Sequence, residues 1–381
     1  MKITDKMKLI YMLVFSMTSH IFFAQTADTY YQIILESKTT YSNIYNKSSI
    51  NPDNIMGISE FSSVSQLYPI IKLKNDIGGI ETVLQIEGDI KNENFEKTTR
   101  LSFQELYSQL SYNNKHYFIA GKKRLDWGAG QIWNPTNFHI QKDPFRTENR
   151  LEGILMLNYS YLFKNKSINF YVFPDKEHKD FSYALKYDFS NERVNAELSF
   201  VQYTKYQQFN GDMTFAGDWF VNYFEGAVRN YSKCLKVDID GNIYNVSSSN
   251  LRKIWTEVVL GGSILFGKHV TLRYEYRYRD DYLNKKDIQT FKNYLPDNTI
   301  IYDPISISKH SIFGSIEYHD LYDKWLTSLR SYYDPWSKNL ILSPYVMIKM
   351  NNFQMEFTTM FYNRALPIYN FQSSVLLVCF F

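Results

Sequence analysis

The sequence predicts an all-β fold: an antiparallel transmembrane β-barrel of about 18 strands, with 16 as the fallback, short periplasmic turns and long extracellular loops. Three observations predict it. Segments along the whole chain put apolar or aromatic residues on alternate positions. No long apolar run follows the N-terminus, and the mean hydropathy is −0.36. Short polar turns alternate with long connections. A strand's side chains alternate between faces, and one greasy face backed by a charged one suits a wall between lipid and a wet lumen. Only helices and closed barrels satisfy every backbone group in lipid.

The first element is a leader. Lys2, Lys6 and Lys8 precede an apolar core from Leu9 to Phe15, and Ala24-Gln25 offers a cleavage site. The stretch is short of the ~20 apolar residues a spanning helix needs. Residues 1–24 therefore read as a signal peptide and 25–381 as one barrel domain.

Strands follow as 28–38, then 67–74 with 79–89, 101–112 with 116–124, 153–163 with 167–174, and 180–189 with 193–203. Next come 219–230, 254–265 with 269–280, 310–318 with 324–333, 339–350 with 352–361, and 372–381. The turns between paired segments carry residues such as Asn75-Asp76, Asn113-Asn114-Lys115, Gly267-Lys268 and Asn351. The connections 39–66, 125–152, 204–218, 231–253 and 281–309 are long, and bacterial barrels put long loops outside. The first strand then runs outward and the last inward, which requires an even number. The segments above make seventeen, so one is missed or spurious. Lys236 to Tyr244 is the expected place for it. Barrels of 16–18 strands usually leave an aqueous channel, which links fold to function.

The strand 269–280 shows the pattern best. Val270, Leu272, Tyr274, Tyr276 and Tyr278 share one face; Thr271, Arg273, Glu275 and Arg277 share the other. Lys186 alternates with aromatic neighbours in the same way. A charge on the lipid face costs about 2–4 kcal/mol near the midplane, so Lys186, Arg273, Glu275 and Arg277 are candidate lumen-wall residues. They serve a solute path, a salt-bridge ladder between strands, or both. The last strand ends on Phe381, which resembles the C-terminal signal that outer-membrane barrels offer to their assembly machinery.

Gly121 to Arg150 departs from alternation. Gly128, Gly130, Pro135 and Pro144 mark turns, and Trp127 and Trp133 are two of six tryptophans. Loops of this length are usually functional or disordered, and tryptophans with paired charges argue against disorder. The expectation is that 125–152 folds into the mouth of the pore. Arg124, Lys142, Arg146 and Arg150 would then face Asp126, Asp143 and Glu148 across a constriction that includes Trp127 and Trp133. The other reading is a cap packed by the two tryptophans. The run Gly121-Lys122-Lys123-Arg124-Leu125-Asp126-Trp127-Gly128, with Trp133-Asn134-Pro135-Thr136 and Asp143-Pro144, resembles porin-like outer-membrane barrels of Gram-negative, Bacteroidota-type bacteria. Asn137 stands where that pattern often has Asp. These barrels are similar in architecture to alginate-export-type channels. The resemblance implies a channel for small or oligomeric hydrophilic solutes.

Composition sets the remaining bounds. Tyr, Phe and Trp number 32, 28 and 6, suited to aromatic girdles at the edges of a lipid band. A net charge of +3 is too small to argue for nucleic acid. Cys234 and Cys379 read as unpaired, and no cluster has metal-ligand spacing, so no cofactor or metal is expected. The seven histidines are scattered and no Gly-x-Ser-x-Gly occurs, which argues against a barrel enzyme. The alternative to a channel is a non-conducting structural, adhesive or accessory barrel. Expected partners are outer-membrane lipid, lipopolysaccharide, the barrel assembly machinery and a hydrophilic solute. The sequence leaves the solute and the oligomeric state open.

Overall fold

The computed structural model describes residues 27–44, 60–77, 80–93, 96–125, 127–137, 153–174, 180–204, 206–230, 235–237, 243–245, 254–281, 309–320, 324–336, 338–363 and 369–380. The leader 1–24, Cys234 and Phe381 lie outside these residues. Twenty strands are present among them. The first eleven are β1 (Ala27–Ile44), β2 (Phe61–Ile77), β3 (Ile80–Glu93), β4 (Glu96–Tyr112), β5 (His116–Lys123), β6 (Ile154–Phe163), β7 (Lys166–Pro174), β8 (Phe181–Ser190), β9 (Val194–Gln202), β10 (Gln207–Ala216) and β11 (Phe220–Arg229). The rest are β12 (Leu235–Val237), β13 (Ile243–Asn245), β14 (Trp255–Phe266), β15 (Val270–Arg279), β16 (His310–His319), β17 (Trp325–Asp334), β18 (Asn339–Met350), β19 (Phe353–Tyr362) and β20 (Tyr369–Phe380).

Eighteen of them form one sheet, and β12 and β13 pair only with each other. Each barrel strand is antiparallel to the next, and β20 pairs with β1 from Ile34↔Phe380 to Asn43↔Phe371. The sheet therefore closes on itself and leaves no edge. Short turns gather at one end. Asn113, Asn114, Lys164, Asn351 and Gly267 take positive φ there, as tight hairpin turns require. The start of β1 and the end of β20 share that end, and the strand ends that flank 45–60, 124–153, 230–254 and 280–309 are at the other.

Two expectations need correction. The missing strand is β10, within the region read as the loop 204–218, and not 236–244, which belongs to the small β12–β13 hairpin. Asn210-Gly211 looks like a hairpin turn, which hides the alternation of Phe209, Met213 and Phe215 with Gln208, Asn210 and Asp212. In the fold Gly211 lies opposite Gly226 in mid-strand. Asn75-Asp76 is likewise inside β2, paired with Thr82 and Glu81, so the turn falls after Ile77.

Alternation sorts the side chains as the sequence implies. On β8, Ser182, Ala184 and Lys186 are buried while Tyr183 and Leu185 are exposed. On β15, Glu275, Arg277 and Arg279 are buried and Tyr274 is exposed. The exposed set around the outside is apolar, including Leu198, Phe209, Leu260, Ile316, Leu329 and Phe357. The buried set includes Lys186, Glu225, Arg229, Glu257, Arg330 and Glu356. A water-soluble domain has the reverse arrangement.

Candidate functional site

After Lys123 the chain leaves the wall, and residues 124–125 and 127–137 pack against the inward faces of strands on both sides of the barrel. Irregular backbone inside a lumen carries N–H and C=O groups that must find partners. The Arg124 N–H donates to Glu105 Oε1 at 3.2 Å. Trp127, 3% exposed, enters a cluster of Ile154, Met156, Tyr171, Phe173, Ala184 and Val201 on β6 to β9. Tyr171 meets its ring edge-on at 5.2 Å, and Lys186 Nζ sits 5.5 Å from its centre. Such contacts add roughly 0.5–1.5 kcal/mol each beyond area burial.

On the far side the loop is tied by two carboxylates. Glu225 accepts the Gly130 N–H at 2.7 Å with one oxygen and the Thr136 N–H at 2.8 Å with the other. Glu275 accepts three successive N–H groups, from Gln131 at 2.7 Å, Ile132 at 2.8 Å and Trp133 at 2.9 Å. The Tyr223 hydroxyl also donates to Glu275. Consecutive N–H groups converging on one anion form a nest, and hydrogen bonds to a charged partner are worth about 1.5–3 kcal/mol each. Gly128 has φ +86°, and a Cβ there would crowd Glu225 Oε1 at 2.5 Å, so the loop folds this closely only with glycine. Asn134 braces the turn: its amide donates to the Trp127 carbonyl at 2.5 Å, and its Oδ1 accepts the Asn137 N–H at 2.9 Å. Gln208 of β10 donates to the Pro135 carbonyl at 3.1 Å.

Trp133 completes the crossing. It packs with Tyr223, Val259, Phe313, Tyr332 and Ile341, residues of β11, β14, β16, β17 and β18. The Arg277 guanidinium lies 4.9 Å above its ring. Residues 124–125 and 127–137 thus span the interior from the β6–β9 wall to the β11–β18 wall.

The residues singled out in the sequence fall into three groups. Arg124, Trp127 and Trp133 belong to the inner loop, and both tryptophans are inside packing clusters. Asp126, Lys142, Asp143, Arg146, Glu148 and Arg150 lie outside the described residues. Lys186, Arg273, Glu275 and Arg277 are on inward faces, but with different duties. Lys186 bridges Asp188 at 2.9 Å and Glu197 at 2.8 Å; Glu275 and Arg277 hold the loop; Arg273, with a side chain 41% exposed, pairs with Glu317 at 3.1 Å.

Sequence reasoning did not single out Tyr223 and Glu225, although both alternate inward on β11. It also missed a closed cycle at the long-loop end. There Arg229 meets Glu257 at 2.9 Å and Asp281 at 3.4 Å, and Arg279 meets Asp281 at 2.9 Å and Glu257 at 3.5 Å. A third omission is Arg330. It is 8% exposed and stacks 4.3 Å from the Tyr345 ring centre, and no carboxylate pairs with it among the described residues. Its cross-strand neighbours Ser315 and Ser343 are buried, and their hydroxyls have no hydrogen-bond partner among the described residues. A buried cation is normally paired. This one lies within electrostatic reach of Glu317 and Glu356, with the two unpartnered serine hydroxyls on either side of it.

No protein-family model and no curated protein matches the chain. Solved structures do match. OccK11 (OpdR) of Pseudomonas aeruginosa has a TM-score of 0.59 at 9% identity, over 93% of this chain and 96% of that one. OpdK of Pseudomonas aeruginosa with vanillate gives 0.58 at 8% identity, over 93% and 98%. OccAB3 of Acinetobacter baumannii gives 0.57 at 9%, over 93% and 99%. At this identity the likeness concerns the fold, which is that of the OprD/Occ porin barrels.

Proposed function

We propose that the chain is an outer-membrane porin-like channel, through which small hydrophilic solutes pass the inner loop without chemical change. The observation that carries the reading is the inverted polarity of a closed 18-stranded sheet, with charged groups buried inside and apolar ones exposed outside. Ring contacts at both ends of the outer face support a lipid band between two girdles. Tyr112–His116, Tyr161–Phe163 and Tyr318–Trp325 stand at the short-turn end. Tyr41–Phe371, Phe361–Phe371 and His310–Trp336 stand at the other. The basic and apolar residues of 1–24 and the motif of 121–136 support export to the outer membrane, with lipopolysaccharide and the assembly machinery as partners.

Arg330, flanked by the unpartnered hydroxyls of Ser315 and Ser343 and facing Glu317 and Glu356, supports a modest preference for anions, and OpdK was solved with vanillate. The purified chain in a planar lipid bilayer should give discrete conductance steps and a reversal potential favouring chloride over potassium. Arg330→Gln should move that potential toward zero. A second reading rests on the burial of Trp127 and Trp133: an inner loop packed this tightly also suits a non-conducting barrel. Silent bilayers containing correctly folded protein would decide for it.

A further inference from the structure

The short-turn end is unevenly charged. The turn from β4 to β5 carries Lys115, and the next one, from β6 to β7, carries Lys164 and Lys166. All three are exposed, and none makes an ion pair among the described residues. The other described turns are mixed or sparse. Glu192 precedes Arg193, Asp320 accompanies Lys324, Asp218 is the charge between β10 and β11, and Lys268 and Lys349 are one cation each. Backbone hydrogen bonds hold the lysine turns side by side. The Leu162 N–H, two residues before Lys164, donates to the Lys115 carbonyl at 2.8 Å, and the Ser190 N–H donates to the Asn165 carbonyl at 2.9 Å.

Beside these lysines the outer face carries a cluster of rings. His116 and Tyr161 are cross-strand partners with ring centres 5.0 Å apart, and Phe163 stacks on Tyr161 at 5.7 Å. His116 Nδ1 lies 3.0 Å from the Tyr159 hydroxyl, and Phe118 meets the Tyr159 ring at 4.9 Å. Lys166 belongs to the same face. By alternation it lines up with Ile168 and Phe170, 42% and 44% exposed, and its cross-strand partner is Phe163.

We infer that this sector binds one anionic glycerophospholipid, its phosphate held by Lys115, Lys164 and Lys166 and its glycerol and first methylenes lying on His116, Tyr161 and Phe163. The inference rests on the outer-membrane reading of the exterior, under which the short turns meet the periplasmic leaflet. Two features select the occupant. Three cations without a carboxylate among them call for a phosphate, and they repel the ammonium of an ethanolamine head group while accepting a glycerol one. The rings, continuous with the lysines on the lipid side, call for a ligand whose anion is joined to hydrocarbon, because amphipathic rings and snorkelling lysines meet at the level of the head groups. A water-borne anion or acidic protein would use the lysines and leave the rings idle. Lipopolysaccharide phosphates lie in the opposite leaflet.

The test is native mass spectrometry of the full chain released from vesicles holding phosphatidylethanolamine and phosphatidylglycerol in equal amounts. The wild type should retain one phosphatidylglycerol in severalfold excess. Combining Lys115→Gln, Lys164→Asn and Lys166→Gln should bring the two lipids to equal retention; asparagine suits the φ of +56° at 164. Combining Lys268→Gln, Lys324→Gln and Lys349→Gln removes the same charge from another arc of the same end and should leave the excess unchanged. Glycerol phosphate, the head group without its chains, should not displace the lipid. Equal retention by the wild type overturns the site. So does an excess that the first triple variant keeps or the second abolishes, and so does displacement by glycerol phosphate, which would mark a free-anion site. Protein that stays in the aqueous phase overturns the site and the outer-membrane reading together, whereas an inserted barrel without head-group preference overturns the site alone.

Discussion

The inner loop meets the barrel wall on two sides, and the two sides hold it by different means. Against β6 to β9 the tie is packing: Trp127 is sunk among seven apolar residues counting itself, with Lys186 over its ring. Against β11 to β18 Trp133 also packs, but a polar tie is added there that the other side lacks: Glu225 and Glu275 together accept five backbone N–H groups. Packing is non-directional and tolerates small shifts. A nest of N–H groups around a carboxylate fixes the backbone path, because moving the loop strands both the anion and its donors. The difference assigns the path of the loop to the carboxylate side, and mainly stability to the Trp127 side.

The largest way to break this comparison is Glu275→Ala. It removes the acceptor for three N–H groups and for the Tyr223 hydroxyl, at a cost of about 3–5 kcal/mol. Single-channel conductance should rise severalfold as 130–133 loses its position, and the urea midpoint in vesicles should fall. An unchanged conductance would show that the loop's path is set elsewhere. Glu225→Ala removes two N–H partners and should shift both readouts in the same direction by less.

Trp127→Ala sharpens the contrast. The loss of a buried tryptophan costs roughly 3 kcal/mol or more, so stability should fall about as far as in the carboxylate variants. Conductance should stay near that of the wild type, since both carboxylates still hold 130–136. If conductance rises as much as in Glu275→Ala, the division of labour between the two sides is wrong.

The two sides also differ in how far the sequence exposes them. Trp127, Trp133 and the glycines around them stand out, because a break in strict alternation is visible in one dimension. Glu275 is legible as an inward residue by its place between Tyr274 and Tyr276. Its task is not legible, because that depends on which loop crosses the lumen to meet it. Glu225 is harder still: in Phe224-Glu225-Gly226 it is one inward carboxylate among many. A useful signal was available in the loop itself. Thirteen or more irregular residues inside a barrel need acceptors from the wall, and lone inward carboxylates are the natural suppliers. The barrel as a whole was readable because period-two alternation repeats in every strand. β10 escaped because Asn210-Gly211 imitates a turn; its glycine answers to Gly226 across the sheet, a relation no local window contains.

The smallest expected effect comes from Lys186→Met. Lys186 bridges Asp188 and Glu197, whose side chains are 26% and 29% exposed, so water already screens both partners. Methionine keeps the contact with Trp127 by its thioether and removes the charge. The cost should be about 1 kcal/mol or less, and smaller at high salt. The readout that matters is current. Removing a cation beside Asp188 and Glu197 makes that wall more negative, so the reversal potential should move toward cations with step size nearly unchanged. The same shift with a large step change would mean that the packed side also gates the passage, and the contrast between the two walls would lose its basis.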